Sequence, residues 1–126
     1  MPSTKNVLVI GFDPELLDFS RMPDPTLTAA KVTAATLADR DRLTDLGHAV
    51  QLCWIDLGAT AEATVAGYLA QTRFDCVVFG AGVRLAPAHT ILFEKLINLV
   101  HERAPQTKLA FNTNPGDTGA AALRWL

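Results

Sequence analysis

Short apolar runs alternate with longer stretches in which apolar residues return every three or four positions, and this alternation predicts a repeated β-α unit. Val7-Leu8-Val9-Ile10 is continuously apolar and ends at Gly11, the pattern of a strand buried on both faces of a parallel sheet. His48–Ile55 predicts a second strand, Asp75–Phe79 a third and Lys108–Asn112 a fourth. Helices are expected over about Thr28–Leu46, Ala61–Gln71 and Pro87–Arg103, with a last one opened by Asp117 or Thr118 and ending at Trp125-Leu126. The punctuation agrees. Gly47 suits the left-handed position after a helix, Thr60 an N-cap, Pro87 a first helical turn, and Asn114-Pro115-Gly116 a turn. In the first helix Val32, Ala35, Leu43 and Leu46 form the core face, and Asp39, Arg40, Asp41 and Arg42 read as its solvated side. Thr64 and Gly67 lower the propensity of the second helix, which must draw its stability from packing.

Four β-α units joined by right-handed crossovers leave few topologies. The expectation is one α/β domain over residues 1–126, a three-layer αβα sandwich around a four-stranded parallel sheet of order 2-1-3-4. One connection is unusual. Phe12–Thr26, with Pro14, Pro23 and Pro25, is much longer than the roughly two to six residues common in such units. It reads as either a lid or a packing flap, and Pro14–Phe19 suits a single helical turn.

The third helix has a broad apolar face. At about 100° per residue, Leu92, Phe93, Leu96, Ile97, Leu99 and Val100 span roughly 160°, more than the ~100° stripe that packing on one sheet requires. The excess predicts a homo-oligomer built on the Leu92–Val100 helix, the open edge of strand four, or both, since an uncovered edge invites pairing. The alternative is a deep core in which the last helix helps to cover the whole arc.

Composition narrows the setting. A chain of 126 residues buries about two-thirds of its unfolded surface in one core. A net charge of -2 with scattered basic residues gives no footprint for nucleic acid. No apolar run approaches the ~20 residues of a membrane span, and Met1–Asn6 leads straight into the first strand, so neither membrane insertion nor a signal peptide is expected. Cys53 and Cys76 lie among apolar strand residues and read as buried thiols of a cytoplasmic protein. With the three histidines they show no metal-ligand spacing, so no metal site is expected.

In open parallel sheets ligands bind beyond the carboxyl ends of the strands, where strand order reverses. With order 2-1-3-4 that point brings together Gly11-Phe12-Asp13 and Gly80–Arg84, flanked by Asn112-Thr113-Asn114 and Asp56. The candidate ligand-binding residues are therefore Gly11, Asp13, Gly80, Gly82, Arg84, Asn112 and Asn114. Gly80 and Gly82 permit positive φ and close approach of a ligand to the backbone. The start of the third helix and the Arg84 guanidinium suit an anion. His89 is a candidate acid or base, working with Asp13 or Arg84. Each feature also has a plainer use: tight turns for the glycines, an Arg84–Asp13 pair joining two loops, a helix shoulder covered by His89. The leading expectation is a binding or regulatory module for a small anion, a nucleotide or a carboxylate metabolite. A non-catalytic interaction scaffold and a small enzyme using His89 are the alternatives.

No motif names a chemistry or implies a cofactor. Gly11-Phe12-Asp13-Pro14-Glu15 lacks the three glycines of the dinucleotide fingerprint, and Gly80-Ala81-Gly82 is followed by Leu85 where the third glycine would stand. There is no P-loop, no G-x-S-x-G serine and no cysteine at a helix start. The layout is similar to that of phosphoacceptor receiver domains and flavodoxins, without their fifth strand. Asp13 and Thr113 match receiver positions, but strand three ends in Phe79-Gly80 with no acceptor aspartate, and the Thr/Ser-rich flavin loop of flavodoxins is missing. Asn6–Pro14, Phe74–Val78, Gly80–Arg84, Leu92–Asn98 and Phe111–Thr113 together resemble small stand-alone bacterial α/β proteins of unassigned function. That resemblance implies the fold and a bacterial cytoplasmic setting, and brings no activity.

Overall fold

The computed structural model describes residues 4–126; residues 1–3, part of the stretch read as leading directly into the first strand, lie outside them. The strands are β1 (Asn6–Phe12), β2 (Ala49–Ile55), β3 (Cys76–Phe79) and β4 (Lys108–Phe111), all parallel and in the expected order β2-β1-β3-β4. The helices are α1 (Ala29–Asp45), α2 (Ala61–Gln71), α3 (Ala81–Leu85), α4 (Thr90–Arg103) and α5 (Thr118–Leu123). Among the described residues no helix is long and apolar enough to cross a membrane.

Strand periodicity divides β1 between two cores. Leu8, Ile10 and Phe12 join Val77, Phe79, Val65, Leu96 and Val100 under α2 and α4. Val7 and Val9 join Cys76, Val78 and Ala110 under Leu43 of α1 and Ala121 and Ala122 of α5. The sheet is thus the middle of three layers. Cys53 belongs to the first core and Cys76 to the second, so the central sheet lies between the two thiols. Burial pushes their pKa values up to about 12 and about 11.

Local chemistry explains the boundaries. Gly47 takes φ 94° after α1, the left-handed conformation that ends helices without a Cβ penalty. The long connection after β1 is held by three aspartates that each accept the backbone N–H two residues on: Asp13 from Glu15, Asp18 from Ser20 and Asp24 from Thr26. Pro14 is buried and Leu17 packs against the first core, so the start of this segment is fitted to the domain, whereas most residues from Asp18 to Thr26 are exposed.

Four local expectations are corrected. The third helix does not start at Pro87. Ala81–Leu85 forms a helix of its own, Pro87 holds Ala86 extended at φ -83° and ψ 130°, and a single 3-10 turn leads into α4. Gly80 and Gly82 do not use positive φ, which among the described glycines occurs only at Gly47 and Gly58. Thr60 makes no side-chain cap to α2 and instead donates its hydroxyl to Asp56. The faces of α1 also differ from the charge pattern: Leu46 is exposed, whereas Asp39, read as solvated, is buried against α5.

The broad face of α4 has partners within the chain. Leu96 and Val100 are buried, Leu92, Ile97 and Leu99 pack half-buried on the first core, and α2 packs alongside. Phe93 meets Phe79 and Phe111 edge-on, with ring centroids 5.5 and 6.1 Å apart.

Candidate functional site

At the strand ends, β1 and β3 part, and β1 turns into the long connection while β3 turns into α3. The two backbones touch there. A Cβ on Gly80 would stand 3.3 Å from the Ile10 carbonyl and 3.7 Å from the Gly11 Cα, so the approach is reserved for glycine. Gly11 faces Trp54 across the β1–β2 pair, and a Cβ there would lie at ordinary contact distance from the indole, 3.7 Å. Above these glycines lies a cleft of about 100 Å³. One wall is Trp54 with Val32 and Thr36 of α1; the other is Gly80–Val83 with Asn112, Asn114, Pro115 and Thr118.

The structure therefore brings Gly11, Gly80, Gly82, Asn112 and Asn114 to one cleft, and places Asp13, Arg84 and His89 outside its lining. Arg84 turns toward the end of β4. Its Nη2 donates to the Asn112 carbonyl, its guanidinium carbon lies 5.5 Å from the centre of the Phe111 ring, and its buried Nε has no hydrogen-bond partner among the described residues. His89 stands behind Phe12, ring centroids 4.6 Å apart. Asp13 caps its own turn. No hydrogen bond or ion pair among the described residues links these three, so neither the Arg84–Asp13 pair nor an acid–base couple on His89 is assembled.

Asn112 organises the floor. Its Oδ1 accepts the Ala81 N–H at 2.7 Å and its Nδ2 donates to Thr118 Oγ1 at 2.8 Å. The amide oxygen thus occupies the place above the first N–H of α3 where an anion would sit. Two carboxylates outside the lining are held by the turns that follow β2 and β4. Asp56 accepts the backbone N–H groups of Gly58 and Thr60 and the Thr60 hydroxyl, and these bonds, the hydroxyl foremost, hold its carboxyl below the ordinary range. Partial burial works to raise Asp117, but the Thr113 hydroxyl and the N–H groups of Asn114 and Thr113 outweigh it and the carboxyl is lowered. No lysine, arginine or histidine lines the cleft. Among the described residues, no group of three His, Cys, Asp or Glu side chains is arranged to hold a metal ion.

Trp54, Thr36 and Thr118 were missed by sequence reasoning as cleft residues. Trp54 carried a usable signal, since it precedes the end of β2 and the register places it beside Gly11. Thr36 and Thr118 come from helices whose faces the sequence pattern does not assign to a cleft. No protein-family model matches this chain, and no curated protein is significantly similar to it.

Proposed function

We propose that the chain is a binding module for a small, uncharged ligand carrying one flat ring, held in the cleft where β1 and β3 part. The glycine-lined gap carries this reading: it sets side-chain-free backbone beside the Trp54 ring in a largely apolar lining, a combination that suits a planar group. The volume sets the scale. About 100 Å³ falls short of the roughly 300 Å³ at which drug-sized pockets begin. It lies nearer the ~150 Å³ apolar cavity that takes a benzene ring. An anion, the leading expectation from the sequence, finds no cationic side chain in the lining, and is disfavoured by the direction of Arg84 and by the Asn112 oxygen over α3. Proton-transfer catalysis has no support either, because His89 meets an aromatic ring rather than the cleft.

The test uses matched pairs, nicotinamide with nicotinate and benzamide with benzoate, in a thermal-shift titration of wild type and Gly82→Leu. A Cβ at Gly82 would meet nothing nearer than Phe12, at 3.9 Å, and the backbone there is not at positive φ, so a leucine adds bulk to the cleft lining without backbone strain. The neutral member of each pair raises the melting temperature of wild type and leaves the variant unmoved. Stabilisation by the anions alone, or equal shifts in both proteins, overturns the reading.

A second reading is self-association with another copy of the chain through the β4 edge. Among the described residues β4 pairs only with β3, and Phe111, the last residue of β4, is 36% exposed on the face it shares with Phe79 and Phe93. Antiparallel pairing brings the Lys108 end of one strand to the Asp117 end of the other. Four residues of strand, with the Phe111 carbonyl already taken by Arg124, give this edge little pairing capacity. Light scattering after size exclusion decides it: a dimer that Phe111→Asp dissolves supports it, and a monomer at all concentrations removes it.

A further inference from the structure

A polar chain runs behind the cleft and joins four elements. From α3, the Ala81 N–H donates to Asn112; from the end of β4, Asn112 donates to Thr118; and at the start of α5, the Gly119 N–H donates to Asp39 of α1 at 2.5 Å. Asp39 is 1% exposed, and its other oxygen lies 3.3 Å from Nη1 of Arg42, whose side chain is mostly in solvent. A Cβ on Gly119 would stand 3.0 Å from that carboxylate, so any larger residue has to push the carboxylate aside. The rest of the α5 docking is made by the small side chains of Ala121 and Ala122, with Leu126 just beyond the helix packed half-buried on the same core and Arg124 reaching the Phe111 carbonyl at the surface. A helix of six residues has no stability of its own.

We infer that Asp39 is a latch: its carboxylate docks α5 on α1, and with it Thr118 against the cleft, so that α5 opens as a unit, leaving the sheet folded, when the latch is lost. Thr36 stands one turn before Asp39 on α1 and Thr118 one residue before Gly119, and both line the cleft. Docking of α5 and occupancy of the cleft therefore favour each other. That last consequence rests on the ligand-binding reading above; the latch itself does not.

Hydrogen exchange read by mass spectrometry, with no ligand present, tests it on wild type, Asp39→Asn and Gly119→Ala. In wild type, peptides covering residues 118–126 exchange ahead of those covering 6–12 and 76–79. In both variants the 118–126 peptides exchange faster by about tenfold or more, the effect of one lost charge-assisted bond, while the sheet peptides keep their wild-type rates. Gly119→Ala disturbs the contact with the carboxylate intact, and the wild-type profile stands alone should either variant fail to fold. Exchange of 118–126 in step with the sheet in wild type, or uniform acceleration everywhere in the variants, overturns the latch and leaves Asp39 as a general support of the fold. Because no ligand enters the experiment, failure of the ligand reading leaves this result intact.

Discussion

Asn112→Ala is the most informative single change to the cleft floor. Asn112 is 5% exposed, and its amide serves two partners on different elements, the Ala81 N–H and the Thr118 hydroxyl. Truncation leaves the Ala81 donor without its acceptor, a loss of about 1–3 kcal/mol for a buried group. It also removes the bond to Thr118, about 0.5–1.5 kcal/mol net. Ala81 is half-buried and Thr118 retains only a marginal contact, 3.5 Å to the Pro115 carbonyl. Water can reach the freed N–H, so the sum falls in the lower part of that range, at about 1.5–3 kcal/mol, a large share of the roughly 5–15 kcal/mol stability of a small domain. At about 3–4 °C per kcal/mol for this size, the melting temperature drops by about 5–12 °C. Urea titration of wild type, Asn112→Ala, Thr118→Val and the double variant reads the loss and the coupling between the two side chains. A loss below about 0.5 kcal/mol for Asn112→Ala, the level of an ordinary surface change, would show that the bonded amide does not organise the floor.

Other outcomes follow from the same chemistry. Cys53 and Cys76, with thiols raised to about 12 and about 11, resist a thiol reagent in the native protein and react on unfolding; fast labelling of the folded chain at neutral pH would contradict their burial. Asp56 and Asp117 have carboxyls lowered on folding, so their contribution is present above the ordinary aspartate range and is lost as pH falls through about 4 and below. Asn at both positions flattens the acid limb of a melting-temperature profile, and an unchanged limb would remove these two groups as its cause. Gly47→Ala places a Cβ at φ 94° and lowers stability by about 1 kcal/mol in urea titration, whereas no loss would show that the turn relaxes freely.

The sheet was legible because its signals are local and redundant. A doubly buried strand at Val7–Ile10, glycine and proline punctuation, and the handedness of crossovers agree on one order, and the structure has that order. Those signals also placed the glycines and asparagines of the cleft, since backbone position at a strand end follows from topology alone. Long side chains did not follow from topology. Arg84 has several partners within reach, and the Asn112 carbonyl with the Phe111 ring holds it away from Asp13. Asp39 sits in a run of alternating charge that looks solvated, and only the distant Gly119, eighty residues along, explains its burial. The short helix α3 was not legible: Gly80 and Gly82 made Gly80–Arg84 read as a loop, and Pro87 drew the helix start past it.

The most direct test of ligand recognition in the cleft is amide chemical-shift mapping of the ¹⁵N-labelled protein with nicotinamide and, separately, nicotinate. The account predicts saturable shifts with the neutral compound at Gly11, Gly80, Gly82 and Thr118, together with the Trp54 indole, and none with the anion. Shifts from the anion centred on Arg84, or no saturable response from either compound at those positions, would contradict it.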